Sequence, residues 1–242
     1  MKKIKRSSEL LWLFGVVFVA FGVAICSKAD LGVSIIAAPA LDLSEVLQTL
    51  WSGFSVGVTE YIFQGFLLLA MCLAVRRFNW RYLLAFAVAI IYGYTLDLFL
   101  FLLEGVRIDA TWIRWVMLVV GDVIVALGVA CFFRTYLPLQ VYELFVSEIA
   151  SHFKLKLTKT KHAFDLSLLV ISLVLALLLF RDVAAFDWTT VGHASFHCIG
   201  LGTLLTTAIN SPLIGLMCRL IDAIFEPTAL FPRVEGALKI EK

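Results

Sequence analysis

The side chains of this 242-residue sequence that could do chemistry are acids and amides set inside apolar runs. Asp122 stands near the middle of the run Trp112–Phe133, where a carboxylate has no water to solvate it. Two readings fit it: a group that binds a proton or cation, or a carboxyl satisfied by a neighbouring helix. Asp97 lies about five residues from one end of the run Tyr82–Leu103, close enough to reach the interface or to line a path. Glu60 and Gln64 are four apart and share a helix face, which gives a polar path through the membrane or a contact with another helix. Asp30, two residues after Lys28, makes either a gate pair or a helix-end salt bridge of little energetic weight. Asp42 and Glu148 either line a binding site or face water from interfacial helices, and Asn210 opens the helix-interrupting run Asn210-Ser211-Pro212. Asp165, near the end of its apolar run, is expected to reach water.

Nothing in this set predicts catalysis. There is no G-x-S-x-G, no H-E-x-x-H and no phosphate-binding glycine loop. His193 and His197 are four apart without a third ligand, so they read as polar surface, and neither a metal nor a cofactor is expected. The five cysteines are scattered singly through or beside apolar runs and read as small apolar side chains.

The elements that hold these residues are membrane helices. Hydrophobic residues make up 62% of the chain and charged residues 16%, with a mean hydropathy of +0.98. A soluble domain has only about 45–50% apolar residues, so the lipid bilayer is the expected environment. A net charge of +2, with the basic residues in short loops, offers no face for nucleic acid.

One stretch is used twice. Residues 15–24 and 121–130 are identical at seven of ten positions, and Gly15 and Gly22 recur as Gly121 and Gly128. The register continues outward: Lys28 meets Arg134, Leu31 meets Leu137 and Asp42 meets Glu148. The chain is therefore read as two halves, residues 1–110 and 111–225, followed by a polar tail over 226–242. The glycine pairs, seven residues apart, are expected to pack helices closely, either within the chain or in a homodimer.

In each half the sequence predicts three crossings and one short helix. The crossings are Leu10–Ser27, Val58–Val75 and Tyr82–Leu103, then Trp112–Phe133, His162–Phe180 and Phe196–Ile221. Val33–Trp51 and Pro138–Phe153 carry carboxylates near their middles and read as half-buried or re-entrant helices. With the amino terminus inside, all of the 20 basic residues except Lys28, Arg107, Arg114 and Arg181 fall on the inner side. An odd number of crossings per half turns the second half upside down. The expected fold class is all-α: a polytopic bundle of two inverted repeats, each with a broken helix after its first crossing. Such a plan places a site at mid-depth, lined here by Gly32–Glu45 and Pro138–Glu148.

The run Lys28-Ala29-Asp30-Leu31-Gly32-Val33-Ser34, with Phe54-Ser55-Val56-Gly57, resembles the YczE/YitT type of small bacterial membrane proteins, the YczE branch more closely. The closing run Gly200-Leu201-Gly202-Thr203 and Pro212-Leu213-Ile214-Gly215 is similar to the end of those proteins. The resemblance implies a multi-pass protein of the bacterial cytoplasmic membrane and implies no particular activity. Together with the repeat it leads to the expectation of a small-solute transporter or permease with both termini cytoplasmic, its partner an unknown small solute or ion. The alternative is a non-catalytic accessory or scaffold protein that modulates a partner complex. A membrane-embedded enzyme is least favoured.

Overall fold

The computed structural model describes residues 4–179, 199–228 and 230. Its elements run β1 (Ile4–Ser7), α1 (Ser8–Ala29), α2 (Ala38–Leu50), α3 (Val56–Val75), α4 (Arg81–Leu102), α5 (Thr111–Phe133), α6 (Val141–His152), α7 (Leu157–Leu179), α8 (Leu201–Ile224) and β2 (Phe225–Thr228). Six of the helices, α1, α3, α4, α5, α7 and α8, are long and apolar enough to cross a membrane. With its large apolar side chains turned outward along these helices, the chain is a multi-pass membrane protein.

The short helices are short for local reasons. Pro39 fits the first turn of α2, and the chain turns extended at Trp51, leaving 13 residues or about 20 Å of helix. α6, with 12 residues, is about 18 Å long. Both fall well below the roughly 30 Å hydrocarbon core. Their amino ends are the buried ends: Ala38 and Ala40 in α2 and Val141 in α6 are fully shielded, whereas Leu50, Trp51 and His152 at the other ends are exposed. Ile35 and Ile36, just ahead of α2, share a core with Tyr142 and Val146 of α6, so the two tips meet inside the bundle.

The repeated stretch forms the centre. Gly15 lies against Gly128 and Gly22 against Gly121, so α1 and α5 pack antiparallel along their shared sequence. A Cβ on Gly22 would stand 2.7 Å from the Gly121 carbonyl oxygen, and one on Gly128 would stand 2.9 Å from that of Gly15. Val16, Val19, Ala20 and Val23 interlock there with Val125, Ala126 and Val129. α4 packs on α1 and α8 on α5; α6 packs on α3 and α2 on α7. Each short helix thus lies against a crossing helix of the other half.

The two ends of the bundle differ. At one end Asp30 pairs with Arg114 at 2.8 Å and Lys28 Nζ donates to the Glu104 carbonyl. At the other, Tyr136 donates to Glu9, Arg134 grips Asp222, and β1 pairs in parallel with β2. Gly32, at a φ of +100° that favours glycine, lies against Gly200, where Gly202 N–H donates to Leu31 O and Thr203 Oγ1 to Val33 O. The two runs that carry the family resemblance therefore touch.

Two expectations are corrected. Asn210-Ser211-Pro212 does not interrupt the last crossing: α8 runs through Pro212, as membrane helices do when neighbouring groups absorb the missing N–H. Within the polar tail, Glu226, Pro227 and Thr228 continue β2 against Lys5, Arg6 and Ser7, one short strand pair beside the all-α bundle. α7 begins at Leu157 rather than His162, taking in residues expected in a loop. The expected polar loop Arg181–Ser195, with His193, and His197 beyond it, lies outside the described residues.

Candidate functional site

The buried tip of α6 gathers polar side chains in the interior. Gln140 precedes the helix, fully shielded, and Tyr142 and Glu143 occupy its first turn. Tyr142 Oη donates to Glu60 Oε1 of α3 at 2.9 Å, fixing the buried tip of this short helix to a crossing helix. Gln64, one turn along α3, leans toward the same carboxylate without a well-aligned bond, and Glu60 Oε2 has no partner. Tyr92 of α4 is fully buried as well.

Glu143 turns to α7. There Lys161 Nζ donates to Asp165 Oδ1 at 3.2 Å, one helical turn apart, and both side chains are enclosed. Burial pushes the Glu143 carboxyl above its ordinary value of 4.5, against the pull of Lys161. Glu143 Oε2 and Asp165 Oδ2 have no hydrogen-bond partner. Glu143 and Asp165 thus share one enclosed ammonium, and Glu60 on α3 is held instead by Tyr142, so the negative charge left over is most simply met by protons. Among the described residues no group of three or more His, Cys, Asp or Glu side chains converges as a metal site.

A second tie lies at the tip of α2. Asp42 is fully buried and accepts a hydrogen bond from Ser172 of α7. α2 is thereby fixed to α7 as α6 is fixed to α3, a short helix of one half bonded to a crossing helix of the other. Residues 4–219 match a family of unknown function, DUF6198. The chain belongs to that family. No curated protein and no solved structure matches it.

The other sequence-derived candidates of this DUF6198 protein are dispersed. Asp122 is buried in α5, as its place in the run implies, with Oδ2 unpartnered and Cys26 of α1 nearby. Asp97 accepts from Ser55 Oγ at 2.5 Å and from Gly57 N–H at 2.8 Å, capping α3. Asp30, half-exposed, pairs with Arg114 and not with Lys28. Glu148 is half-buried beside Tyr82, at the edge of a polar cavity of about 610 Å³ that also meets Arg77 and His152. Asn210 is buried in α8 with Oδ1 unpartnered. The repeat mates Asp42 and Glu148 therefore have different surroundings.

Sequence reasoning found Glu60, Gln64 and Asp42 but missed Tyr142, Glu143, Tyr92 and Lys161. Asp165, expected to reach water, is enclosed instead and paired with Lys161 on α7, which packs against α2 and α6. The Lys161-to-Asp165 spacing of four was a readable sign of a helical pair.

Proposed function

We propose that this protein is a small-solute transporter or permease of the bacterial cytoplasmic membrane, built from two inverted halves, residues 1–110 and 111–225, with its site between the tips of α2 and α6. The observation that carries this reading is the crossed tie: Tyr142 of α6 to Glu60 of α3, and Asp42 of α2 to Ser172 of α7. Half-helices held at depth by polar groups of the opposite half are the arrangement that lets one half rock against the other around a fixed site. The reciprocal contacts Gly15 with Gly128 and Gly22 with Gly121 agree with a two-fold relation, since each maps onto the other through the repeat.

In this reading Glu60, Glu143 and Asp165 form the proton- or cation-accepting group, with Gln64 and Asp42 beside the path. Asp122 and Asn210 are further polar points along α5 and α8. Kinship with the YczE-type proteins is part of the same reading and rests on the run Ala29–Ser34. Gathering of the basic loops at the end that carries Arg134 and Arg77 supports placing both termini in the cytoplasm.

The test is transient-current recording from proteoliposomes of the full chain on solid supports, with a panel of small cationic, zwitterionic and neutral solutes under an imposed pH gradient. The expected result is a solute-evoked current in the wild type that Glu60→Gln lowers at least tenfold, on the order of one lost charge-assisted contact. Silence of the wild type across the panel, with Glu60→Gln and Asp42→Asn folding normally, returns the protein to the accessory or scaffold reading.

A further inference from the structure

A groove of about 490 Å³ runs along the outer face of α7, bounded by α3 and α6. Its floor is Leu67, Phe145, Phe164 and Leu168, and its far end is Ile171. Its near end carries Lys156, Lys159 and Thr160, where the two lysines are exposed. The two ends are therefore chemically opposite. From Lys159 to Ile171 is 12 residues of helix, or roughly 18 Å. That is close to the roughly 15 Å of one leaflet's hydrocarbon. Ser167 is a hydroxyl along the way, and it is already spent on Ala163 O of its own helix at 2.8 Å. Among the described residues the apolar part offers a polar solute no side-chain donor beyond that hydroxyl, whereas an acyl chain needs none.

We propose that this groove holds a phospholipid of the surrounding bilayer whose headgroup carries net negative charge, its phosphate at Lys156 and Lys159 and an acyl chain on Phe164 and Leu168. Among the described residues no acidic side chain lines the groove. Asp165, the nearest acid on α7, is turned inward and paired with Lys161. Charge therefore selects an anionic headgroup, because a zwitterionic one would set its own cation against the two lysines. Basic clusters at the membrane boundary attract anionic lipid by about one fivefold factor per lysine at low salt, so two lysines give a preference of roughly thirtyfold. The proposal needs only that the chain sits in a bilayer and does not rest on the transport reading.

The experiment is native mass spectrometry of the delipidated full chain in detergent, titrated separately with phosphatidylglycerol, phosphatidylcholine and palmitate. The expected result is retention of phosphatidylglycerol roughly thirtyfold above phosphatidylcholine at low salt. Lys156→Gln with Lys159→Gln should bring the two lipids to parity without changing phosphatidylcholine retention or the melting temperature. Ile171→Trp, which fills the apolar end and leaves the lysines in place, should also reduce phosphatidylglycerol retention. Equal retention of the two phospholipids overturns the proposal, as does a preference that survives the double lysine variant. Indifference to Ile171→Trp shows surface attraction without a groove and overturns it too, and stronger retention of palmitate than of phosphatidylglycerol does the same.

Discussion

Lys161 faces two enclosed carboxyls, Asp165 by hydrogen bond and Glu143 by charge, and this makes it the side chain whose loss should be felt most. Lys161→Met keeps most of the side chain's length but leaves Asp165 charged and unmatched, or forces it to take a proton. Breaking a buried pair from one side costs about 3–5 kcal/mol, whereas replacing both partners by apolar groups is often close to neutral. The expected outcome is a clear fall in the thermal midpoint of the purified Lys161→Met protein, and recovery of most of it in Lys161→Met with Asp165→Leu. A double variant as unstable as the single one would sink the account of a buried ion pair. The pair was half legible: its spacing was in the sequence, but the polar character of Leu157–Lys161 concealed that the helix had already begun there. The bond from Tyr142 to Glu60 was not legible at all, because it joins residues far apart in the chain and only the insertion of α6 brings them together.

Between elements, the α1–α5 seam is set by backbone approach. An alanine at Gly22 would put its Cβ 2.7 Å from Gly121 O and 2.8 Å from Val125 N, neither of which can yield without the helices moving apart. Gly215 in α8 is the contrast, with nothing within 4 Å of the corresponding position. Gly22→Ala should therefore destabilise by about 1–3 kcal/mol through overpacking. Gly215→Ala should be neutral or gain up to about 1 kcal/mol from helix propensity. Thermal unfolding of the two variants in the same detergent checks this, and equal midpoints would mean that the seam is not tight. The glycine spacing announced a close helix contact, and the repeat announced that both helices would carry one. That the two copies would pack on each other was a matter of assembly that neither stretch reveals alone. Pro212 shows the opposite limit: its sequence reads as a break, yet α8 passes through it because a crossing helix is held by its packing on α5 more than by any single hydrogen bond.

The order of crossings was legible for the whole molecule because length, hydropathy and loop charge are one-dimensional properties, and each of the six long helices lies within a few residues of its expected run. How the halves interlock was not, since α2 packs on α7 and α6 on α3 across the repeat boundary. The decisive property at this scale is whether α2 returns to the face it left. At 13 residues it is too short to cross, and with a buried amino end and an exposed carboxyl end it would, in the proposed reading, dip and come back. Gly53 and Arg107 should then lie on one side of the membrane, and Asn79 and Lys156 on the other. Single cysteines placed at these four positions in a cysteine-free background of intact cells test it directly. Positions 53 and 107 are expected to react with a membrane-impermeant maleimide, and positions 79 and 156 only after permeabilisation, because the basic loops belong inside. Reaction at 79 with protection at 53 and 107 would make α2 a true crossing. The two halves would then run parallel, and the polar ties at the tips of α2 and α6 could no longer be the fixed point about which one half turns on the other.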